Sequence, residues 1–171
     1  MKIGIDARML AHSGIGTYLR QLLSGLAADP GLHRYVVFTA RELVPHLPAG
    51  HGFEVRTTSM PVYGLAEHGR WRREFEGAGC DLYHVPHYNV PLGFAAPYVV
   101  TVHDLIHWLF PQFMRTPVHA RVARALLRQA AGGARRILAD SACTRDDLHR
   151  LLGVPPSRVA VVYPGVEARF K

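Results

Sequence analysis

Gly14-Ile15-Gly16-Thr17-Tyr18 is the stretch whose residue types and placement most suggest chemistry. It follows a short apolar run, residues 3–5, that ends at Asp6, and it opens a segment with Tyr18, Leu19, Leu22, Leu23 and Leu26 at helical spacing. A strand, a glycine turn and a helix in that order leave a helix N-terminus with little side-chain bulk over it. Its free N–H groups and positive dipole end suit an anionic group, above all phosphate. The dinucleotide fingerprint is not met, because its third glycine would fall at Leu19. The plainer reading is that Gly14 and Gly16 make a tight turn and let the helix pack closely.

His103 and Asp104 come just past a second apolar run, residues 98–102. An imidazole at such a strand end can hydrogen-bond a ligand or stabilise developing charge; the alternative is a histidine tied to a backbone carbonyl. Asp104 reads as a brace for the loop or for the histidine, with catalytic base as the lesser reading. His84, His87, His103 and His107 invite a metal reading, but no H-E-x-x-H motif and no nearby cysteine supports it, so no metal is expected. Asp6 and Asp104 could form a glycosidase pair only if they flanked one bond, and nothing in the spacing places them so.

These residues need a frame, and the chain alternates β-rich runs with helical patterns. Strands are predicted over 3–6, 35–39, 53–57, 81–84, 98–102, 136–139 and 159–162, several nearly all apolar, as suits strands covered on both faces. Helices are predicted over 16–28, 66–77, 117–131 and 144–152, with a short one near 41–47. Pro117 suits a helix start, Ser141 or Thr144 can cap the last helix with Asp146 and Asp147 in its first turn, and Gly153 ends it. The expected fold is α/β: a Rossmann-like, doubly wound, mainly parallel sheet with helices on both faces. Ligands of such sheets gather at the carboxyl ends of the strands. Segments 6–18, 84–89, 103–107 and 140–144 therefore converge on one rim.

With 171 residues, 49% apolar and 19% charged, one soluble globular domain is expected. The net charge of +7 is almost wholly arginine, since only Lys2 and Lys171 are lysines. It suits phosphorylated ligands or anionic lipid. Nucleic acid is not expected as a partner, because no zinc finger, RNA-recognition signature or basic helix-turn-helix is present. Cys80 and Cys143 lack C-x-x-C spacing, which favours a reduced, cytoplasmic setting, and no signal peptide or membrane-spanning run is visible. Arg121, Arg124 and Arg128 share one face of the predicted helix 117–131, with Val118, Val122, Ala125 and Leu126 on another. The bland reading is a solvated face. The sharper one is peripheral contact with an anionic membrane, to which Arg70, Arg72 and Arg73 could add.

The glycine loop, Thr101-Val102-His103-Asp104, Ala139-Asp140-Ser141 with Thr144 and Leu148, and the exit Tyr163-Pro164-Gly165-Val166 occur in a particular order. Together they resemble the N-terminal domain of the GT-B glycosyltransferases of family 4, or group 1, and Asp6-Ala7-Arg8 before the glycine loop is similar to mannosyltransferase-like members. The resemblance covers essentially residues 1–171. It implies an acceptor-side Rossmann-like domain facing a donor-binding domain that carries paired glutamates. That second domain is absent here, since Glu167 is the only acid after Asp147. It further implies a nucleotide-sugar donor (UDP- or GDP-sugar), no other cofactor, and a glycan, lipid or small-molecule hydroxyl acceptor. Transfer would proceed with retention, a donor phosphate oxygen assisting as base. On this resemblance Gly14, Ile15, Gly16 and Thr17 form the donor-phosphate loop, and His103 with Asp104 is the catalytic pair. His87, Tyr88 and Asn89 meet the acceptor. The chain by itself would not transfer sugar. The alternatives are a GT-B epimerase or phosphorylase-like relative, or a stand-alone Rossmann-like ligand-binding or regulatory domain. A location in the cytoplasm or at the inner face of the membrane follows.

Overall fold

A computed structural model describes residues 1–49, 52–64, 67–114 and 116–165. Seven strands, β1 (Lys2–Asp6), β2 (Arg34–Thr39), β3 (Glu54–Thr57), β4 (Leu82–Val85), β5 (Tyr98–Val102), β6 (Arg136–Ala139) and β7 (Val159–Val161), form one sheet. Its order is β3-β2-β1-β4-β5-β6-β7 and every pairing is parallel. This is the Rossmann-like α/β fold expected from the sequence, with all strands found within a residue or two of their predicted places. The order reverses between β1 and β4, the switch point at which such sheets hold ligands.

Parallel strands need crossovers on the sheet faces, and side-chain alternation sorts the core accordingly. On one face, α1 (Gly14–Ala28) buries Leu19 and Leu23 against Ile5, Tyr35 and Val37. On the other, Val36, Phe38, Tyr83, Val85 and Val100 pack beneath Trp71, Phe75, Leu127 and Leu148. These come from a π-helical turn (Glu67–Trp71) running into α2 (Arg72–Glu76), from α4 (Pro117–Gly133) and from α5 (Ala142–Leu152). A large apolar side chain buried in this way contributes about 1.5–3 kcal/mol.

Several elements differ from the sequence expectation. The helix predicted over 66–77 begins as the π turn, because Glu67 and Trp71 both face a buried arginine, and Ala66 lies outside the described residues. A short α3 (Ile106–Leu109) and a 3-10 turn (Pro111–Phe113) stand where a loop was expected; Asp104 Oδ1 accepts the Ile106 N–H at 3.0 Å and starts the helix. The core face of α4 is Ala120, Ala123, Leu127, Ala130 and Ala131, small residues that let it sit close to the sheet. Val118 and Val122 are exposed. Arg124 is not a solvated charge: it donates to the carbonyls of His107 and Trp108, and Arg128 lies over the Trp108 ring. Ser141, not Thr144, caps α5, accepting the Thr144 N–H at 3.0 Å, so Asp146 and Asp147 fall beyond its first turn. Gly153 ends that helix with φ 68°, a left-handed conformation that costs glycine little. Val166, in the expected exit motif, lies outside the described residues.

The helix predicted to start at Gly16 starts at Gly14, which separates the roles of the two glycines. Neither has a positive φ. A methyl group on Gly14 would meet open space, whereas one on Gly16 would collide with the Leu10 carbonyl oxygen. Gly16 is therefore a close-packing position. Gly16→Ala is expected to destabilise the domain by about 1–3 kcal/mol, the usual cost of overpacking, and Gly14→Ala to leave the melting temperature within a degree or two. Thermal denaturation of both variants checks this; equal melting temperatures would remove the packing role from Gly16.

Candidate active site

The N-terminus of α1 opens at the carboxyl edge of the sheet. Its N-cap, Ser13, makes no side-chain capping bond, so Gly14, Ile15 and Gly16 supply first-turn N–H groups without helical partners. Beside it, β5 and β6 pair Val102 with Ala139, so the next residues, His103 and Asp140, leave adjacent strands together. Their side chains meet: His103 Nδ1 lies 2.6 Å from Asp140 Oδ2, and Nε2 lies 2.9 Å from the Pro86 carbonyl oxygen. Thr144, in the first turn of α5, donates its hydroxyl to the His103 carbonyl at 3.0 Å and fixes the backbone.

A cavity of about 640 Å³ lies over these residues. Its walls take Gly14, Ile15, Thr17 and Tyr18 from α1, and His87 and Tyr88 from beyond β4. His103, Asp104, Ile106 and His107 come from beyond β5, and Asp140, Tyr63 and Pro164 complete it. All four polar segments expected to converge do converge.

Asp140 and Pro86 both present acceptors, an environment that favours the protonated His103 ring, which donates from both nitrogens. Burial opposes that charge, but the Asp140 carboxylate and the Pro86 carbonyl outweigh it and hold the pKa above the usual histidine value. His84, fully buried with Nε2 2.8 Å from Thr101 Oγ1, is pushed down to about 4 by burial and by the His103 charge. The same causes push His87 down to about 3. Tyr18 Oη sits 3.0 Å from the same Thr101 hydroxyl, and the Tyr18 ring packs edge-on against His103. Two buried polar atoms of cavity residues, His87 Nδ1 and Asp140 Oδ1, have no hydrogen-bond partner among the described residues.

Some expected site residues take other places. Gly16 does not line the cavity. Thr17 does, but its hydroxyl donates to the Ser13 carbonyl and accepts from Arg20, so it is already engaged. Asp104 is exposed at the cavity wall, and its Oδ1 accepts the Ile106 N–H. Asn89 is buried away from the cavity and bonds Glu67. Asp6 is locked to Arg8, with Nε–Oδ1 2.9 Å and Nη2–Oδ2 2.7 Å, so it does not pair with Asp104 across a cleft. With both His103 nitrogens occupied, a hydrogen bond from this ring to a sugar hydroxyl would require one of its contacts to open.

Sequence reasoning did not put Asp140 or Tyr63 among the site residues. Asp140 carried a usable signal, since it follows an apolar strand as His103 does. Tyr63, with a φ of 67°, lies in a segment without periodicity and carried none. Among the described residues no cluster of His, Cys, Asp or Glu could hold a metal ion, and no helix is long and apolar enough to cross a membrane.

A family model described as Glycosyltransferase Family 4 matches residues 12–170, and the chain belongs to that family. The fold is shared by sucrose-phosphate synthase from Thermosynechococcus elongatus (TM-score 0.67, 18% identity, 99% of this chain and 49% of that one). It is shared too by Anabaena HepE, solved in complex with UDP (TM-score 0.60, 17% identity, 97% and 44%). A UDP-N-acetylglucosamine 2-epimerase is similar at TM-score 0.63 and 13% identity, over 94% and 47%. The chain spans less than half the length of each of these structures. No curated protein matches it.

The titrations follow from the geometry. His103, raised, contributes stability that is complete below the unfolded value near 6.5 and is lost as pH rises through its folded pKa. His84 and His87, lowered, contribute stability present above about 6.5 and lost as pH falls toward 4 and 3. Imidazole NMR signals are expected to show His103 titrating above 6.5 while His84 and His87 stay neutral at pH 5. A His103 midpoint below 6.5 would contradict the imidazolium.

Proposed function

We propose that this chain is the acceptor-side domain of a glycosyltransferase that moves a sugar from a nucleotide-sugar to a hydroxyl acceptor with retention. The observation that carries the reading is the cavity in which the uncapped N-terminus of α1 and the His103–Asp140 pair share one wall system. Membership of Glycosyltransferase Family 4 supports it. The UDP bound by the structurally similar HepE supports a nucleoside-diphosphate donor, UDP- or GDP-linked. This chain spans less than half of each similar structure, and in this reading a second domain would hold most of the donor.

In this reading the bond from the sugar to the diphosphate breaks, and the acceptor oxygen bonds the same carbon on the same face. The acceptor proton passes to a donor phosphate oxygen. The first-turn N–H groups of α1 and the His103 imidazolium offer positive potential to the departing diphosphate, where negative charge develops. The imidazolium suits that leaving group better than a cationic sugar, which revises the role expected for it. Asp140 Oδ1 is buried and has no partner among the described residues, so a sugar hydroxyl would reach it only if the rim around it shifted. His87 and Tyr88 face the acceptor.

The test is made on the protein extended to its second domain, with a nucleotide-sugar panel and product masses. A new glycoside supports the transferase; an isomer of unchanged mass supports the epimerase alternative. His103→Ala is expected to lower kcat by about a hundredfold, the lower range for a positioned electrostatic group, and to lower the melting temperature by several degrees, since two tethers are lost. Activity should fall as pH rises through the His103 pKa, and Asp140→Asn should move that alkaline limb to lower pH. An unmoved limb would remove the imidazolium from the mechanism.

A further inference from the structure

Next to the cavity runs a second hollow, of about 650 Å³, between α4 and the turn at Tyr63–Gly64. The two are continuous, because Tyr63, Tyr88 and His107 border both. One wall is Met114, Val118, Val122 and Leu126. Val118 and Val122 are 62% and 52% exposed, although the buried face of α4 is a separate alanine-rich stripe. A helix face turned to water ordinarily carries polar residues, so this second apolar face is unexplained by packing.

Several of the polar groups around the hollow are already engaged. Glu67 accepts from Arg8, from the Tyr63 N–H and from Asn89. His68 Nδ1 accepts the Leu92 N–H, and His119 Nδ1 meets Thr116 Oγ1. The groove therefore offers a ligand a mainly carbon surface, while the adjoining cavity is walled by His103 and by the N-terminus of α1. Tyr63 is held between them at a left-handed φ of 67°, which costs a non-glycine residue about 1–3 kcal/mol, with its ring edge-on to His87. Its N–H bond to Glu67 holds it there, where its side chain borders both spaces.

We propose that the acceptor is an amphiphile, its hydroxyl-bearing head in the cavity beside His103 and its hydrocarbon tail in the groove along Val118 and Val122. This rests on the acceptor-side reading and adds the chemical class of the acceptor. A volume near 650 Å³ lies within the range of small-ligand sites. Continuity with the cavity selects the tail of a bound head over an unrelated apolar partner.

The test uses the chain itself and two probes, methyl β-D-glucopyranoside and n-octyl β-D-glucopyranoside below its micelle concentration, followed by calorimetry and backbone NMR. Octyl glucoside is expected to bind at least tenfold more tightly, with joint shifts at His103, Tyr88 and Val122. Val122→Asp should abolish that advantage, and Val118→Asp serves the same purpose should the first variant unfold. Phe113→Ser, on an exposed aromatic outside the groove, should leave it intact. Equal binding of the two probes, with cavity shifts from both, overturns the groove and leaves the acceptor-side reading standing. No cavity shift from either probe overturns both. Octyl shifts along α4 without His103, or binding lost in Phe113→Ser, mark surface adsorption or bilayer affinity and overturn the proposal.

Discussion

The carboxyl edge of the sheet depends on the buried guanidinium of Arg8. Nη2 lies 2.7 Å from Asp6 Oδ2 and 2.6 Å from Glu67 Oε1, Nη1 donates to the Pro61 carbonyl, and the plane sits 4.0 Å over the Trp71 ring. One side chain thus joins the end of β1, the segment after β3 and the π turn. Through Glu67 it reaches the Tyr63 N–H and Asn89 beyond β4. A buried ion pair adds little net stability over apolar packing, but breaking one costs about 3–5 kcal/mol because a charge is stranded. The arrangement therefore specifies geometry more than it adds stability. Burial opposes the Arg8 charge, yet Asp6 and Glu67 outweigh it and raise its pKa, so the guanidinium stays charged.

That rigidity matters because the cavity stands on two supports. On one side the Arg8 network holds Tyr63 in a backbone conformation it would not adopt alone. On the other, the His103–Asp140 pair and the Thr144 hydroxyl lock the ends of β5, β6 and α5 together. Between them lie His84 and His87, whose pKa values burial and the neighbouring His103 push down. Among these imidazoles the Asp140 carboxylate favours the protonated form of His103.

Much of the frame was legible in the chain. Apolar β-rich runs, a proline at the first position of α4, a serine cap and a terminating glycine on α5 are local signals with local causes. The cavity rim was legible too, because a parallel sheet puts the ends of all its strands on one edge. The roles were less so. Gly14 and Gly16 look alike in sequence, yet one faces open space and the other the Leu10 carbonyl. Arg121, Arg124 and Arg128 look like one stripe, yet Arg124 is spent on the carbonyls that end α3. His87-Tyr88-Asn89 looks like one patch, yet Asn89 turns inward to Glu67.

The sequence by itself determined the alternating elements, the parallel sheet and the edge at which its polar residues gather. These depend on hydrophobic periodicity and on contacts within a few residues of the chain. Only the tertiary structure decided which histidine has its protonated form favoured, which glycine is a packing position and where Arg8 points. Each of those turns on a partner far away in sequence: Asp140 for His103, and Glu67 for Arg8. Such partners are chosen by strand order and register, which residue spacing does not encode.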